Sequence, residues 1–273
     1  FDIVTDGESK GLVGSDTKET IQNTLSLVTS AKSGSDCGEY PFTVSSDSGN
    51  YEVTAKYFDN LSDLTNPKTE GTLTITKAAG EIIQNEGFTA SKTVVYGDPD
   101  FSLNVSPNNK EGKLIYEVSN SKDADGISVD DERILSVSDD GKVTVISPGS
   151  ATIKIYLPAT KNYTKATPLT VDVTVNKKAY TVEPVNKKYL YSKENEDAID
   201  LLALLPKDCG SANFDASSTT DSSSFIEVPQ YKECKLVYKL APGNIGKKIT
   251  ITVPLRIDNY IINGNNTLTI NLE

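Results

Sequence analysis

A segment of strict two-residue alternation occurs three times in this chain: Gly71-Thr72-Leu73-Thr74-Ile75-Thr76-Lys77, Leu169-Thr170-Val171-Asp172-Val173-Thr174-Val175 and Thr267-Leu268-Thr269-Ile270-Asn271-Leu272. A period of two places the aliphatic side chains on one face and the polar ones on the other, as a half-buried antiparallel strand requires. An Asn-Tyr dipeptide precedes each segment, at Asn50-Tyr51, Asn162-Tyr163 and Asn259-Tyr260. Such self-similarity marks repeated modules, each closed by its alternating strand. Lys77-Ala78 and Lys177-Lys178-Ala179-Tyr180 then read as short linkers, which divides the chain into residues 1–78, 79–177 and 178–273. Pieces of this length suit an immunoglobulin-like sandwich or another compact β module.

The middle piece carries the clearest pattern. Strands are expected at Thr93-Val94-Val95-Tyr96, Leu114-Ile115-Tyr116-Glu117-Val118, Ile134-Leu135-Ser136-Val137, Lys142-Val143-Thr144-Val145-Ile146 and Ala151-Thr152-Ile153-Lys154-Ile155-Tyr156. Turn residues separate them, including Gly97-Asp98-Pro99-Asp100, Asp139-Asp140-Gly141 and Ser147-Pro148-Gly149-Ser150, and an Asp-Gly step suits a tight turn needing positive φ. Short strands at this spacing without long helical periodicity predict an all-β chain of three tandem antiparallel modules, with an Ig-like sandwich at least in the second.

The outer pieces add local detail. In the first, Asp16 with Glu19 three residues on resembles a capping box, predicting one short helix. Tyr40–Val44 and Tyr51–Tyr57 then read as strands flanking a hairpin loop, Ser45–Asn50. In the third, Ala198–Pro206 suits a buried strand or a helical turn, and periodicity does not choose between them. Lys235–Leu240 and Lys248–Leu255 read as strands, and Ser211–Ser224 as a long polar loop.

Composition narrows the chemistry. The chain contains no His, so Ser-His-Asp or Cys-His catalysis, imidazole metal ligation and a histidine pH switch are all excluded. A formal charge of -11 with only two arginines, Arg133 and Arg256, suits no phosphate backbone, so no nucleic-acid partner is expected. No apolar run of about 18 residues is present, so no helix is expected to insert into a membrane. The start, Phe1-Asp2-Ile3-Val4, carries neither an initiator Met nor a signal segment and reads as a cut within a longer protein or a processed form.

Three cysteines, Cys37, Cys209 and Cys234, are too few and too scattered for a CxxC metal site, and no cofactor is expected. Cys209 and Cys234 share the third piece. Paired, they would close a 26-residue loop and contribute about 3.5 kcal/mol on a chain-entropy account; unpaired, they would pack as two small hydrophobes. The acidic stretch from Asp123 through Asp130, Asp131 and Glu132 offers hard oxygen ligands for calcium but lacks EF-hand spacing, which favours a solvated loop. A glycosidase needs only a carboxylate pair, but none of the 38 acids stands out as one. For sugar stacking there are 13 Tyr and no Trp. Tyr51, Tyr163 and Tyr260 recur in their modules and are expected to pack and hydrogen-bond inside them, which leaves Tyr189, Tyr191 and Tyr231 as candidates for exposure. A Lys–Asn or Lys–Asp isopeptide bond has no position that the sequence identifies.

The run Ile134–Ile155 resembles the S-V-x-x-x-G-x-V-x-x-x-x-x-G-x-A-x-I core of bacterial Ig-like domains, through Ser136, Val137, Gly141, Val143, Gly149, Ala151 and Ile153. Gly38-Glu39-Tyr40-Pro41-Phe42-Thr43-Val44, Gly49-Asn50-Tyr51 and Gly71–Ala78 are similar to the MBG-type modules of bacterial adhesins, with a first strand truncated at Phe1. Leu204-Leu205-Pro206-Lys207-Asp208-Cys209-Gly210 resembles tandem Ig-like modules in large surface proteins of gut Firmicutes. These resemblances imply a non-catalytic extracellular stalk or adhesion segment of a Gram-positive cell-surface protein. They also imply a monomer whose partners are host or bacterial surface glycans or proteins. The alternative is a spacer or carbohydrate-binding segment of an extracellular glycoside hydrolase.

Overall fold

The computed structural model describes residues 14–47, 55–57, 68–188, 197–215, 220–221, 230–232, 235–238, 248–262 and 266–272. Contacts divide the chain into two compact units. One holds residues 1–81, 109–112 and 158–166, and the other 82–108, 113–157 and 167–273. The middle and third stretches therefore lie largely in one unit, and two loops of the middle stretch group with the first.

Among the described residues the first unit holds a short helix, α1 (Lys18–Gln22), followed by β1 (Leu25–Thr29), β2 (Gly38–Ser46) and β3 (Gly71–Ile75), an antiparallel sheet in the order β1-β2-β3. The helix does form, but its cap is not the expected Asp16/Glu19 pair. Thr17 is the N-cap, its hydroxyl accepting from the Thr20 N–H while the Thr20 hydroxyl accepts from the Thr17 N–H. Thr17 holds the extended backbone a cap needs, and Glu19 is left in the first turn, where a carboxylate favours the helix dipole. β2 pairs with β1, which alternation did not reveal, and with β3; residues 51–54, which the expected hairpin would set beside it, lie outside the described residues. Of the expected strand Tyr51–Tyr57, only Ala55–Tyr57 lies within the described residues, where Tyr57 bridges Lys68 and stacks edge-on against Phe42.

The second unit contains a sandwich. Its strands are β4 (Ile82–Gln84), β5 (Ser91–Val95), β6 (Phe101–Ser102), β7 (Val105–Pro107), β8 (Ile115–Asp123), β9 (Leu135–Val137), β10 (Lys142–Val145), β11 (Gly149–Tyr156) and β12 (Leu169–Asn176). One sheet runs β5-β12-β11-β8, with β5 parallel to β12 and the other pairs antiparallel. Facing it are β6-β10-β9 and the pair β4-β7, with Asn104 at φ 54 breaking the chain between β6 and β7. This is the strand order of an Ig-type fold, with A, B, E and D opposite A′, G, F and C. Alternation decides what it buries: Ile153, Ile155, Val171 and Val173 of one sheet and Leu135 and Val143 of the other are all buried. Each such side chain contributes about 1.5 to 3 kcal/mol on leaving water.

Two glycines of the motif have visible steric reasons. Gly141, in the Asp-Gly turn, has φ 78, and a Cβ there would come within 2.7 Å of the Tyr116 hydroxyl. A Cβ on Gly149 would lie 2.2 Å from the Lys122 carbonyl, where β11 crosses close to β8.

The rest of the unit repeats the order of the two larger sheets but, among the described residues, has no antiparallel pair like β4-β7. Its strands are β13 (Lys178–Tyr180), β14 (Val185–Lys187), β15 (Asp197–Asp200), β16 (Ala212–Phe214), β17 (Thr220–Asp221), β18 (Gln230–Lys232), β19 (Lys235–Tyr238), β20 (Ile249–Ile257), β21 (Tyr260–Ile262) and β22 (Thr267–Leu272). One sheet runs β14-β22-β20-β16, with β17 also on β20 and β14 parallel to β22, and the other runs β15-β19-β18. Ala198–Pro206 takes up both expected conformations in turn, a strand through Asp200 and then a 3-10 turn at Leu202–Leu204. Ser211–Ser224 departs from the expected loop, since β16 and β17 lie inside it. Their backbones pair with β20, which needs no apolar side chain on the exposed face.

Candidate functional site

Two places bring together the same residue types, an Asp-Cys-Gly turn and an Asn-Tyr dipeptide. In the first unit, Asp36-Cys37-Gly38 leads into β2, and Asn162-Tyr163 lies on the 158–166 loop. The Asn162 side-chain carbonyl accepts from the Cys37 N–H at 2.6 Å. Its amide nitrogen donates to Asp36 at 2.8 Å and to Glu111 at 2.7 Å. Lys161 completes an exposed ion pair with Asp36. The bond to Lys161, and then that to Asn162, holds the Asp36 carboxyl below its ordinary range, while Asp36 raises the Lys161 ammonium. Glu111 is lowered by its bond to Asn162. Amide formation between lysine and aspartate requires a neutral amine and a protonated acid, so this pair is set up as an ion pair and not as an isopeptide precursor.

In the second unit, Asp208-Cys209-Gly210 precedes β16, and Asn259-Tyr260 links β20 to β21. The Tyr260 hydroxyl donates to Asp208 at 2.9 Å, and the Tyr96 hydroxyl reaches the same carboxylate at 3.4 Å. Asn259 donates its side-chain amide to the Asp208 carbonyl at 2.7 Å and its backbone N–H to the Cys209 carbonyl at 3.1 Å. The Tyr96 and Tyr180 rings each lie 5.7 Å from the Tyr260 ring, edge to face. Burial, then the bond to Asp208, pushes the Tyr260 phenol up to about 12. Burial also raises Tyr96 and the Cys209 thiol. A thiol shifted in that direction stays protonated near neutrality and is no nucleophile.

The two sites share one further feature. The carbonyl of each asparagine accepts a backbone N–H from the linker ahead of its module: Ala78 donates to Asn162 at 2.9 Å and Lys178 to Asn259 at 3.1 Å. The linkers consequently run parallel to the Asn-Tyr segments, Ala78 beside Tyr163 and β13 beside β21. The asparagine does the repeated work. The tyrosines diverge: Tyr260 is buried in the apolar core, whereas Tyr163 is half-buried and groups with the first unit. The Asp-Cys-Gly recurrence, readable by self-comparison, escaped the sequence analysis.

Other candidates resolve individually. Cys37 and Cys209 are free thiols, and Cys234, the expected partner of Cys209, lies outside the described residues. Asn50, Tyr51, Tyr189 and Tyr191 also lie outside them, and Tyr231 is placed only as the middle residue of β18. In the acidic stretch, Asp123 accepts from the Asp125 and Ile127 N–H groups, Asp131 accepts from Ser121, and Asp125 pairs with Arg256. Among the described residues no three metal-ligating side chains converge, and no helix is long and apolar enough to cross a membrane. A cavity beside Lys92 and Phe101 holds about 10 Å³, and a groove along Gln22, Leu25 and Val44 about 180 Å³. Both fall short of a typical small-molecule pocket of about 300 Å³ or more.

No family model and no curated protein matches the chain. Among solved structures it is similar to mouse protocadherin-24, at 9% identity over 88% of this chain and 80% of that one with a TM-score of 0.30. A glucan-utilisation protein of Bacteroides ovatus in complex with a mixed-linkage heptasaccharide is 16% identical over 71% of this chain and 48% of that one, with a TM-score of 0.27. An endo-fucoidan hydrolase of glycoside hydrolase family 107 is 11% identical over 92% and 37%, with a TM-score of 0.31. The all-β assignment rests on the strand order described above and not on these distant likenesses.

Proposed function

We propose that this chain is a non-catalytic extracellular segment of a bacterial cell-surface protein. In this reading the middle module is a bacterial Ig-like domain, the first is an MBG-type module, and the segment serves as a monomeric stalk or adhesive spacer at the cell wall. The observation that carries the reading is the ordered linker. At both junctions the linker backbone is tied to an Asn-Tyr segment and not left as a free tether. A linker hydrogen-bonded to the body of a module passes tension into its strands, which suits a spacer. An enzyme would need a cleft with convergent acid, base or nucleophile, and the carboxylates of both junctions are occupied by amide, ammonium or phenol donors.

Surface glycans or proteins are the proposed partners. The test is binding of the purified chain to a glycan array, alongside hydrolysis assays on polysaccharides. A pure stalk expects neither binding nor hydrolysis, and reproducible glycan binding without hydrolysis would sink that form and leave an adhesive segment or the carbohydrate-binding segment of an extracellular glycoside hydrolase. Hydrolysis by this chain alone would overturn the whole reading.

A further inference from the structure

We infer that Tyr96, Asp208 and Tyr260 form a clasp that makes the sandwich of residues 82–176 and the module of residues 178–272 fold and unfold as one cooperative unit. Tandem modules joined by a peptide ordinarily move and unfold separately unless a substantial apolar interface joins them. Here Tyr96, directly after β5 of the sandwich, packs against the buried core of the following module. Its ring meets that of Tyr260 and its hydroxyl reaches Asp208, so an aromatic side chain of one module plugs the end of the other. Two further ties cross the same joint. The Lys177 ammonium donates to the Ile257 carbonyl at 2.9 Å, and Arg256 pairs with Asp125. The ion pair is exposed and adds little. The half-buried Tyr96 ring packed on the buried Tyr260 ring carries the coupling. Asp208 is the hub because its one carboxylate takes a phenol from each module.

Native-state hydrogen exchange on the full chain tests this inference, whatever the chain binds. Ile153→Ala removes a wholly buried side chain from the sandwich alone and lowers its stability. Coupled modules predict that amides of β20 and β22, in the other module, exchange at least about tenfold faster in this variant. Acceleration confined to β8, β11 and β12 would overturn the inference. In a Tyr96→Ala background the transmitted acceleration should fall below about twofold, as for independent units; if it persisted in full, the clasp would not be its route. Tyr96→Phe, which keeps the ring and loses only the bond to Asp208, serves if the alanine variant fails to fold, and transmission should then lie between the two. Transmission no weaker than in the parent chain would remove Asp208 from the account.

Discussion

Two Asp-Cys-Gly turns of this chain meet asparagine, and their surroundings give them opposite characters. Around Asp36 the partners are Lys161, Glu111 and the Asn162 amide, open to solvent and mostly charged. Around Asp208 they are Tyr96, Tyr260 and Asn259, packed on an apolar core. The same local sequence thus gives an ionic knot in one unit and, in the other, a half-open aromatic clasp in which Tyr260 and Asn259 are buried and Asp208 stays exposed. Salt and water screen the first, while in the second the Tyr260 ring belongs to the buried core even though Asp208 remains exposed. The Asp208 site should therefore tolerate change poorly and the Asp36 site well.

Truncation of Tyr260 to alanine should have the largest effect. It removes a buried ring with two aromatic neighbours and leaves Asp208 without its closest donor, so denaturant unfolding should show a loss of about 3 to 5 kcal/mol. A loss below 1 kcal/mol, about the size of a surface change, would erase the contrast between the sites. Alkaline titration sharpens it further. The folded Tyr260 phenol is raised to about 12 by burial, Asp208, Tyr96 and Cys209, against an ordinary value of about 10. Its stabilisation is therefore complete below about pH 10 and is lost as pH rises through about 12. Tyrosinate absorbance should show a late-titrating phenol that disappears in Tyr260→Phe.

Asn162→Ala should cost less, about 1 kcal/mol, because the Cys37 N–H and the Asp36 carboxylate it leaves behind are only partly buried. Exchange at the Cys37 amide is the direct readout. Asp36→Asn should change least, lowering the urea midpoint at neutral pH by less than Asn162→Ala does. The folded carboxyl of Asp36 is lowered, so its contribution is present above the ordinary carboxylate range and is lost as pH falls through the lowered value. A midpoint shift as large as that of Asn162→Ala would mean that the ion pair, and not the amide, organises the first site.

Much of this was readable in advance. The alternation of Leu169–Val175 and the Asp139-Asp140-Gly141 turn placed β12 and the β9–β10 connection, because there side-chain period and turn chemistry agree. Alternation failed where packing does not favour one face. In β1, Leu27 and Val28 are neighbours that are both about half exposed, so no periodic signal exists. In β16, Ala212-Asn213-Phe214 pairs through its backbone with Leu255–Ile257, and its surrounding serines read as loop. The sites were half legible. The Asn-Tyr repeat located both junctions, but it drew attention to the rings when the asparagine carbonyl and amide make the shared bonds. The role of Tyr96 was out of reach, since its partners Asp208 and Tyr260 are more than a hundred residues away in sequence.

The most direct test is a double-mutant cycle joining Tyr96 and Asp208, residues of different modules, by equilibrium unfolding of the full chain. Tyr96→Ala, Asp208→Ala and the double variant should be non-additive by at least about 0.5 kcal/mol, as for residues in one bonded cluster. Additivity within about 0.3 kcal/mol would show that the two modules are merely adjacent and would contradict the clasp.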